Sequence, residues 1–272
     1  MLPIGLQIIP HISAREIATV AIEAEKLGYT HLWLSDEGFM VDPFTALGMI
    51  AAQTRHMRLG VITNPYTRHP AMTAAAVATL DSISDGRAEL CYVAGGSLVL
   101  DPINMSRPQP VQTVQEAIFI TRQLLRGEKI TWQGRQFSLK DAQLEVRVTS
   151  VPEIHVAARG AKMLEMAAQH ADAIWTGIDA QTINTLRTAA NGRPLKMICG
   201  EHPPSASDAE STIMKAVQQD GGGDVPVVED FAAWVARIQH NAALMDSLLI
   251  VTWETSAEAM LAMLHTVKEA FA

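Results

Sequence analysis

Eight short apolar runs recur along this chain with helix-period segments between them, and no other feature restricts the fold as strongly. The runs are Ile4–Ile9, His31–Ser35, Leu59–Thr63, Ala88–Ala94, Ile154–Ala158, Ala173–Thr176, Lys196–Cys199 and Leu248–Trp253. Most are rich in β-branched or aromatic residues, which suit strands. Between the first two, Ile17, Val20, Ala21, Ala24 and Leu27 fall on one helical face. Ser13 and Glu16 have the spacing of a capping box ahead of that helix, and Gly28 stands where it should end. Leu47, Ile50 and Ala51 mark a second helix, and Ala74, Val77, Ala78 and Leu80 a third. Val114, Ala117, Ile118, Thr121 and Leu125 mark a long one ending at Gly127, followed later by Met163, Leu164 and Ala167, and finally by Leu261, Leu264 and Val267. Strand and helix alternating in this way predict an α/β fold, a closed parallel (β/α)8 barrel of the TIM type. An open doubly wound sheet is the alternative, because Lys196–Cys199 is a weak strand.

A length of 272 residues suits one such barrel, read as a single domain over 1–272. Two places interrupt the rhythm. Ile130–Phe137 alternates around Gly134 and predicts a hairpin insertion within 128–150. The run Asp220-Gly221-Gly222-Gly223-Asp224 predicts a loop or linker. Apolar residues make up 48% of the chain, enough for a large core, and no apolar stretch reaches bilayer length. The N-terminus has no basic region ahead of its first strand, so a cytoplasmic protein is expected. Cys91 and Cys199 lie in strand runs and read as buried thiols, not ligands or a redox pair. A net charge of −8 with no basic stripe argues against nucleic acid. An anionic cofactor would have to be held by local groups.

In a parallel barrel the loops after the strands converge on one face. They carry Gln7, Asp36-Glu37, Thr63-Asn64-Pro65-Tyr66-Thr67-Arg68-His69-Pro70, Gly95-Gly96-Ser97, Arg159-Gly160, Gly177 and Glu201-His202. This set holds no His-x-His pair, no clustered carboxylates and no Cys/His spacing, so no metal is expected. It holds no nucleophile elbow either. Two prolines, Pro65 and Pro70, stiffen the Thr63–Pro70 stretch, placing polar and cationic groups at a strand end. Ala158-Arg159-Gly160-Ala161-Lys162 opens a helix, so its amides and Lys162 suit a phosphate. Trp175 and Trp253 end their runs and read as packing or cavity lining, while Met163, Met166, Met260 and Met263 read as core.

Several of these segments resemble the luciferase-like monooxygenase superfamily, and more closely its coenzyme F420 branch, the methylenetetrahydromethanopterin reductase-like oxidoreductases. The resemblance covers approximately residues 4 to 178. It is carried by Asn64–Pro70, Ala78-Thr79-Leu80-Asp81-Ser82-Ile83-Ser84-Asp85-Gly86-Arg87, Ala94-Gly95-Gly96-Ser97, Gly134–Phe137, Ala157–Leu164 and Ala171-Asp172-Ala173. It implies a bacterial luciferase-like barrel, commonly dimeric, with F420 or FMN in its mouth. The ring would stack on a strand-three bulge at Gly60, Val61 and Ile62, where relatives often carry a non-proline cis peptide; here the bulge is one residue shorter. Gln7 and Asn64 would border the ring, Gly95, Gly96 and Ser97 would meet its polar edge, and Ala158, Arg159, Gly160 and Lys162 would receive the phosphate.

This chain departs from that pattern at three proton-handling positions. It has Glu37 after Asp36 where the family frequently has Asp-His, Gln7 where the methylene reductases have a carboxylate, and Gly96-Ser97 where they have an acid. The helical insertion after strand seven is also shortened. These departures speak against the pterin substrate. Glu37 is the expected acid/base, since a carboxylate with a raised pKa can serve; Asp36 and His69 are the other candidate catalytic residues. The expected function is an oxidoreductase transferring a hydride between F420 and a small organic substrate. The alternatives are an FMN-dependent monooxygenase or reductase, and a non-catalytic (deaza)flavin-binding relative. A hydrolase or lyase using Glu37 and His69 is the rival from outside the family.

Overall fold

The computed structural model describes residues 2–204 and 230–272. The 220–224 glycine run lies outside the described residues. In chain order the first half comprises β1 (Ile4–Ile8), α1 (Ala14–Lys26), β2 (His31–Ser35), α2 (Pro43–Ala51), β3 (Arg58–Thr63), α3 (Pro70–Ile83), β4 (Ala88–Tyr92), α4 (Ser97–Leu100) and α5 (Pro110–Leu125). A hairpin of β5 (Ile130–Gln133) and β6 (Ser138–Ala142) follows, then β7 (Ile154–Ala157), α6 (Ala161–His170), β8 (Ala173–Thr176) and α7 (Ala180–Ala189). The rest is β9 (Lys196–Glu201), α8 (Phe231–His240), β10 (Ser247–Thr252) and α9 (Ala257–Ala270).

Eight parallel strands close in the order β1-β10-β9-β8-β7-β4-β3-β2, so the sheet has no open edge and the doubly wound alternative falls. All eight expected strands are present, with ends shifted by a residue or two. The capping box of α1 forms as read: Ser13 Oγ accepts the Glu16 amide, and the Glu16 carboxylate accepts the Ser13 amide at 2.9 Å. Prolines at the first helical positions of α2, α3 and α5 fit sites where no amide is needed.

Alternation along each strand sorts side chains into two cores. Leu6, Leu32, Val61, Tyr92, Val156 and Ile250 point outward and pack against the helices. Trp33, Ile62, Cys91, Ala173, Trp175, Ile198 and Leu249 fill the lumen. Burial pushes the Cys91 thiol up and raises that of Cys199 to about 12, which leaves neither reactive.

Not every segment behind the resemblance faces the mouth. In Asp81–Arg87, the Arg87 guanidinium donates to the carbonyls of Ala51, Thr54 and Met57, tying α2 to the start of β4. The Asp81 carboxylate accepts the Thr149 amide at 2.7 Å. This is a structural staple at the end of the barrel opposite the strand C-termini. The hairpin is likewise clamped: the Glu116 carboxylate of α5 accepts the amides of Arg135, Gln136 and Phe137.

Candidate active site at the barrel mouth

The lumen is solid below and slightly open at the C-terminal ends of the strands. Trp33 is 2% exposed, whereas Ile62 (6%), Trp175 (7%), Ile198 (7%) and Val251 (8%) form a shallow apolar floor. Above and beside them the inward positions are short, with Val93, Ala157 and Gly200 partly exposed. Trp33 and Trp175 meet edge to face with centroids 4.8 Å apart. A large aromatic in the lumen demands space, and Gly60 supplies it: a Cβ there would fall 2.1 Å from the Trp33 ring.

This geometry corrects the expected ring platform. β3 pairs in unbroken register with β2 and β4, so there is no bulge at Gly60–Ile62. None of the described peptide bonds is cis. Gly60 lies beneath Trp33, and Val61 faces the helices at 0% exposure; only Ile62 reaches the floor.

Gln7 is the penultimate residue of β1 and donates to Ser35 Oγ at 3.1 Å. In the loop after β2 the two carboxylates take different roles. Asp36 Oδ2 accepts from Thr63 Oγ1 at 2.7 Å, while its amide donates to the Ile62 carbonyl, so Asp36 locks β2 to β3. Among the described residues the Glu37 carboxylate has no hydrogen-bond partner. Burial first, and then the neighbouring Asp36 charge, push its pKa above the ordinary carboxylate value. A partly buried acid with a raised pKa and no partner is suited to proton transfer.

The Asn64–His69 loop is more structural than its composition suggests. Asn64 Oδ1 accepts the Tyr66 and Thr67 amides at 2.9 and 3.0 Å, an Asx turn, and the residue is 1% exposed. His69 caps α3, its Nδ1 accepting the Ala71 amide at 3.2 Å, and its ring meets Phe137 edge-on. The cap occupies Nδ1, so that nitrogen is not a free base. Arg68 lies over the Phe44 ring, 4.5 Å from its centroid, and 3.7 Å from Asp42.

The strand-four turn is braced from two sides. Gly95 has φ of +79° and lies against Leu100, Tyr66 and Asn64. Arg107 donates to its carbonyl, and Tyr66 Oη donates to the Pro108 carbonyl at 2.9 Å. Gly96 is the N-cap of α4, and Ser97 begins that short helix. Beside the turn, Phe39 and Leu98 are 70% and 55% exposed, an apolar rim on the loops after β2 and β4.

After β7, the strand next to β4 in the barrel, Gly160 caps α6 with no side-chain hydrogen bond and with open space where a Cβ would stand. Arg159, Gly160, Ala161 and Lys162 are all exposed there, and Ala158 packs against the core between the sheet and the helices. The uncapped amides and the two cations give this corner a positive potential. Farther round, Trp253 Nε1 donates to His202 Nδ1 and the two rings stack. Burial lowers the His202 pKa to about 4, with Arg159 adding to the effect and a backbone hydrogen bond opposing it.

At the closed end of the barrel Glu89, Glu153 and His155 bring potential ligand atoms within 4.8 Å of one another. Their chemistry is that of an ion-pair network. Arg58 pairs Glu89, and Lys196 Nζ pairs both Glu153 oxygens at 2.6 and 2.9 Å. Trp175 Nε1, which can only donate, gives its proton to His155 Nδ1 at 3.0 Å; the ring proton of His155 is therefore on Nε2, facing Glu153 Oε2 at 3.4 Å. A protonated Nε2 is not a metal ligand. No motif pointed to this trio.

The sequence profile described as luciferase-like monooxygenase matches residues 5–264. The chain belongs to this family. Among relatives, the 5,10-methylenetetrahydromethanopterin reductase of Methanolobus tindarius is 34% identical over 171 residues, 62% of this chain and 52% of the relative. The same enzyme of Archaeoglobus fulgidus is 33% identical over 171 residues, 62% of this chain and 51% of the relative. An F420-dependent glucose-6-phosphate dehydrogenase of Kineococcus radiotolerans is 29% identical over 170 residues, 58% of this chain and 50% of the relative. The chain spans about half the length of these curated relatives. The structure of a coenzyme F420-dependent tetrahydromethanopterin reductase from Methanopyrus kandleri superposes with a TM-score of 0.80 at 19% identity, covering 100% of this chain and 99% of the other. An F420-dependent secondary alcohol dehydrogenase, solved with an F420-acetone adduct, gives 0.82 at 17% identity, with the same coverage of 100% and 99%. At such identities these two structures establish the shared fold. No described helix of this luciferase-like protein is long and apolar enough to cross a membrane.

Proposed function

We propose that this luciferase-like protein is an oxidoreductase that transfers a hydride between coenzyme F420 and a small organic substrate, working as a cytoplasmic homodimer. The observation carrying this reading is the pairing of an apolar floor with an uncapped, cationic helix N-terminus at the same end of the barrel. A deazaflavin needs both, a flat apolar seat for its ring and donors for its phosphate. The residues present fit. Ile62, Trp175, Ile198 and Val251 would hold the ring, Gln7 and the Gly95–Ser97 turn would meet its polar edge, and Arg159, Gly160 and Lys162 would take the phosphate. When bound, the cofactor supplies the hydride chemistry.

The chain's own part is positioning and one proton. Glu37 would carry that proton, since burial and the Asp36 charge raise its pKa above the ordinary carboxylate value. Asp36 fixes the loop that presents it. The exposed Phe39 and Leu98 favour a substrate with apolar surface, and the changes at Gln7, Glu37 and Gly96-Ser97 disfavour the pterin of the named relatives.

FMN is the second reading, favoured by one observation. The acidic chain places few cations at the mouth, and Arg68 and Arg107 are already engaged, so a polyanionic tail has little to hold it. Titration with each cofactor decides between them. Quenching of F420 fluorescence with micromolar or tighter affinity supports the proposal. Binding of FMN alone would shift it to the second reading, and binding of neither would end both.

A further inference from the structure

We propose that His155 is a positioning residue for the mouth: held by Glu153 from below, it fixes the Trp175 indole that forms part of the floor. This inference rests on the reading that a cofactor ring lies on that floor. Three contacts determine where the indole sits. Its N–H points down the lumen to His155 Nδ1 at 3.0 Å, which sets its rotation. Trp33 packs edge-on against it at 4.8 Å and lies tilted by 46° over His155, also at 4.8 Å, so neither ring can swing without the other. Trp33 itself is wedged against Gly60.

The His155 ring is oriented from its other nitrogen. Nε2 faces Glu153 Oε2 at 3.4 Å, and Glu153 is anchored by Lys196. A line of donors and acceptors thus runs from the closed end of the barrel to its mouth: Lys196, Glu153, His155, Trp175. Each member has one orientation compatible with its neighbours, because the indole can only donate and the carboxylate can only accept. Trp175 is 7% exposed, enough for one edge to meet a ligand, whereas His155 at 2% meets none. His155 can act only through the rings it touches, the Trp175 indole by its hydrogen bond and Trp33 by packing.

The test uses the full chain and two readouts. The first is the indole N–H resonance of Trp175, assigned by its loss in Trp175→Phe. The second is the dissociation constant of F420 from fluorescence quenching. His155→Leu should shift the resonance and weaken F420 about tenfold, the scale of one lost buried hydrogen bond. His155→Gln, whose amide can accept from the indole and donate to Glu153, should stay within about twofold of wild type. In the Trp175→Phe background His155→Leu should add less than about twofold, since the coupled partner is already gone. If His155→Leu weakens F420 equally in both backgrounds, or not at all, the positioning role is overturned. Should His155→Leu fail to fold, Trp175→Phe alone decides. Loss of the N–H should weaken F420 about tenfold, and binding within about twofold of wild type would refute the role. Failure of the wild-type chain to bind any ring cofactor overturns the functional reading and this inference together, whereas wild-type binding with indifferent variants overturns only this one.

Discussion

The Trp33 indole stands where a side chain on Gly60 would have to go, 2.1 Å from the position of a Cβ. Ring carbons on a packed lumen wall cannot retreat from such a contact, because Trp33 is also pressed by His155 and Trp175. Gly60→Ala should therefore cost about 3 kcal/mol or more, the upper range for overpacking a core. Denaturant melts of the variant check this. Adding Trp33→Leu should recover part of the loss, and a Gly60→Ala protein as stable as wild type would show that Trp33 lies elsewhere.

Glu37→Gln keeps the shape of the side chain and removes its proton. Under the proposed function turnover should fall by about 100-fold, the lower range for a general acid, with cofactor affinity nearly unchanged. The pKa of Glu37 is raised, so its protonated form persists above the ordinary 4.5 and is lost as pH rises through the raised value. Wild-type rate should decline along that limb, and the variant's profile should be flat there. Stopped-flow or steady-state rates across pH measure both. Equal rates for the two proteins would remove Glu37 from the mechanism.

His202 offers a test through stability. Its pKa is depressed from 6.5 to about 4, chiefly by burial. The folded protein holds the ring neutral while the unfolded chain takes up a proton below 6.5. Its contribution is complete above that pH and is lost as pH falls through 6.5 toward 4. Thermal melts should show wild type losing more stability than His202→Gln between pH 7 and pH 5. An identical pH slope in the two proteins would contradict the buried, neutral state.

The barrel strands were legible because two-sided burial writes apolar runs, and α1 because its cap and its apolar face coincide. Helices α7 and α8 carried weak signals: each buries only two residues, Ile183 and Leu186 in one, Trp234 and Ile238 in the other. At the site, chain position located Glu37, Gln7 and the Arg159–Lys162 turn, since loops after parallel strands share a face whatever their contacts. What the residues do there was less legible. His69 precedes Pro70, and that dipeptide also describes a helix N-cap, which is its role. Gly60 drew attention as a ring platform, yet its missing side chain serves Trp33. His155 carried no motif. Only parity gave a hint, since it lies two residues before Ala157, whose strand partner is Trp175, and so faces the same lumen.

The corner at α6 separates the phosphate from the ring. Arg159 and Lys162 are exposed beside uncapped amides, so each acts on an anion through a screened Coulomb interaction of about 1 kcal/mol. Arg159→Ala or Lys162→Ala should weaken a phosphorylated cofactor by about 3- to 10-fold. The dephosphorylated form, which presents no charge to this corner, should lose little. Raising the salt concentration should narrow the gap between wild type and variant, because exposed charges are screened while contacts to the floor are not. Titration of both cofactor forms at two ionic strengths measures all of this. Equal losses for the two forms would mean that these cations support the loop and hold no phosphate, and the anion would then have to be sought elsewhere on the rim.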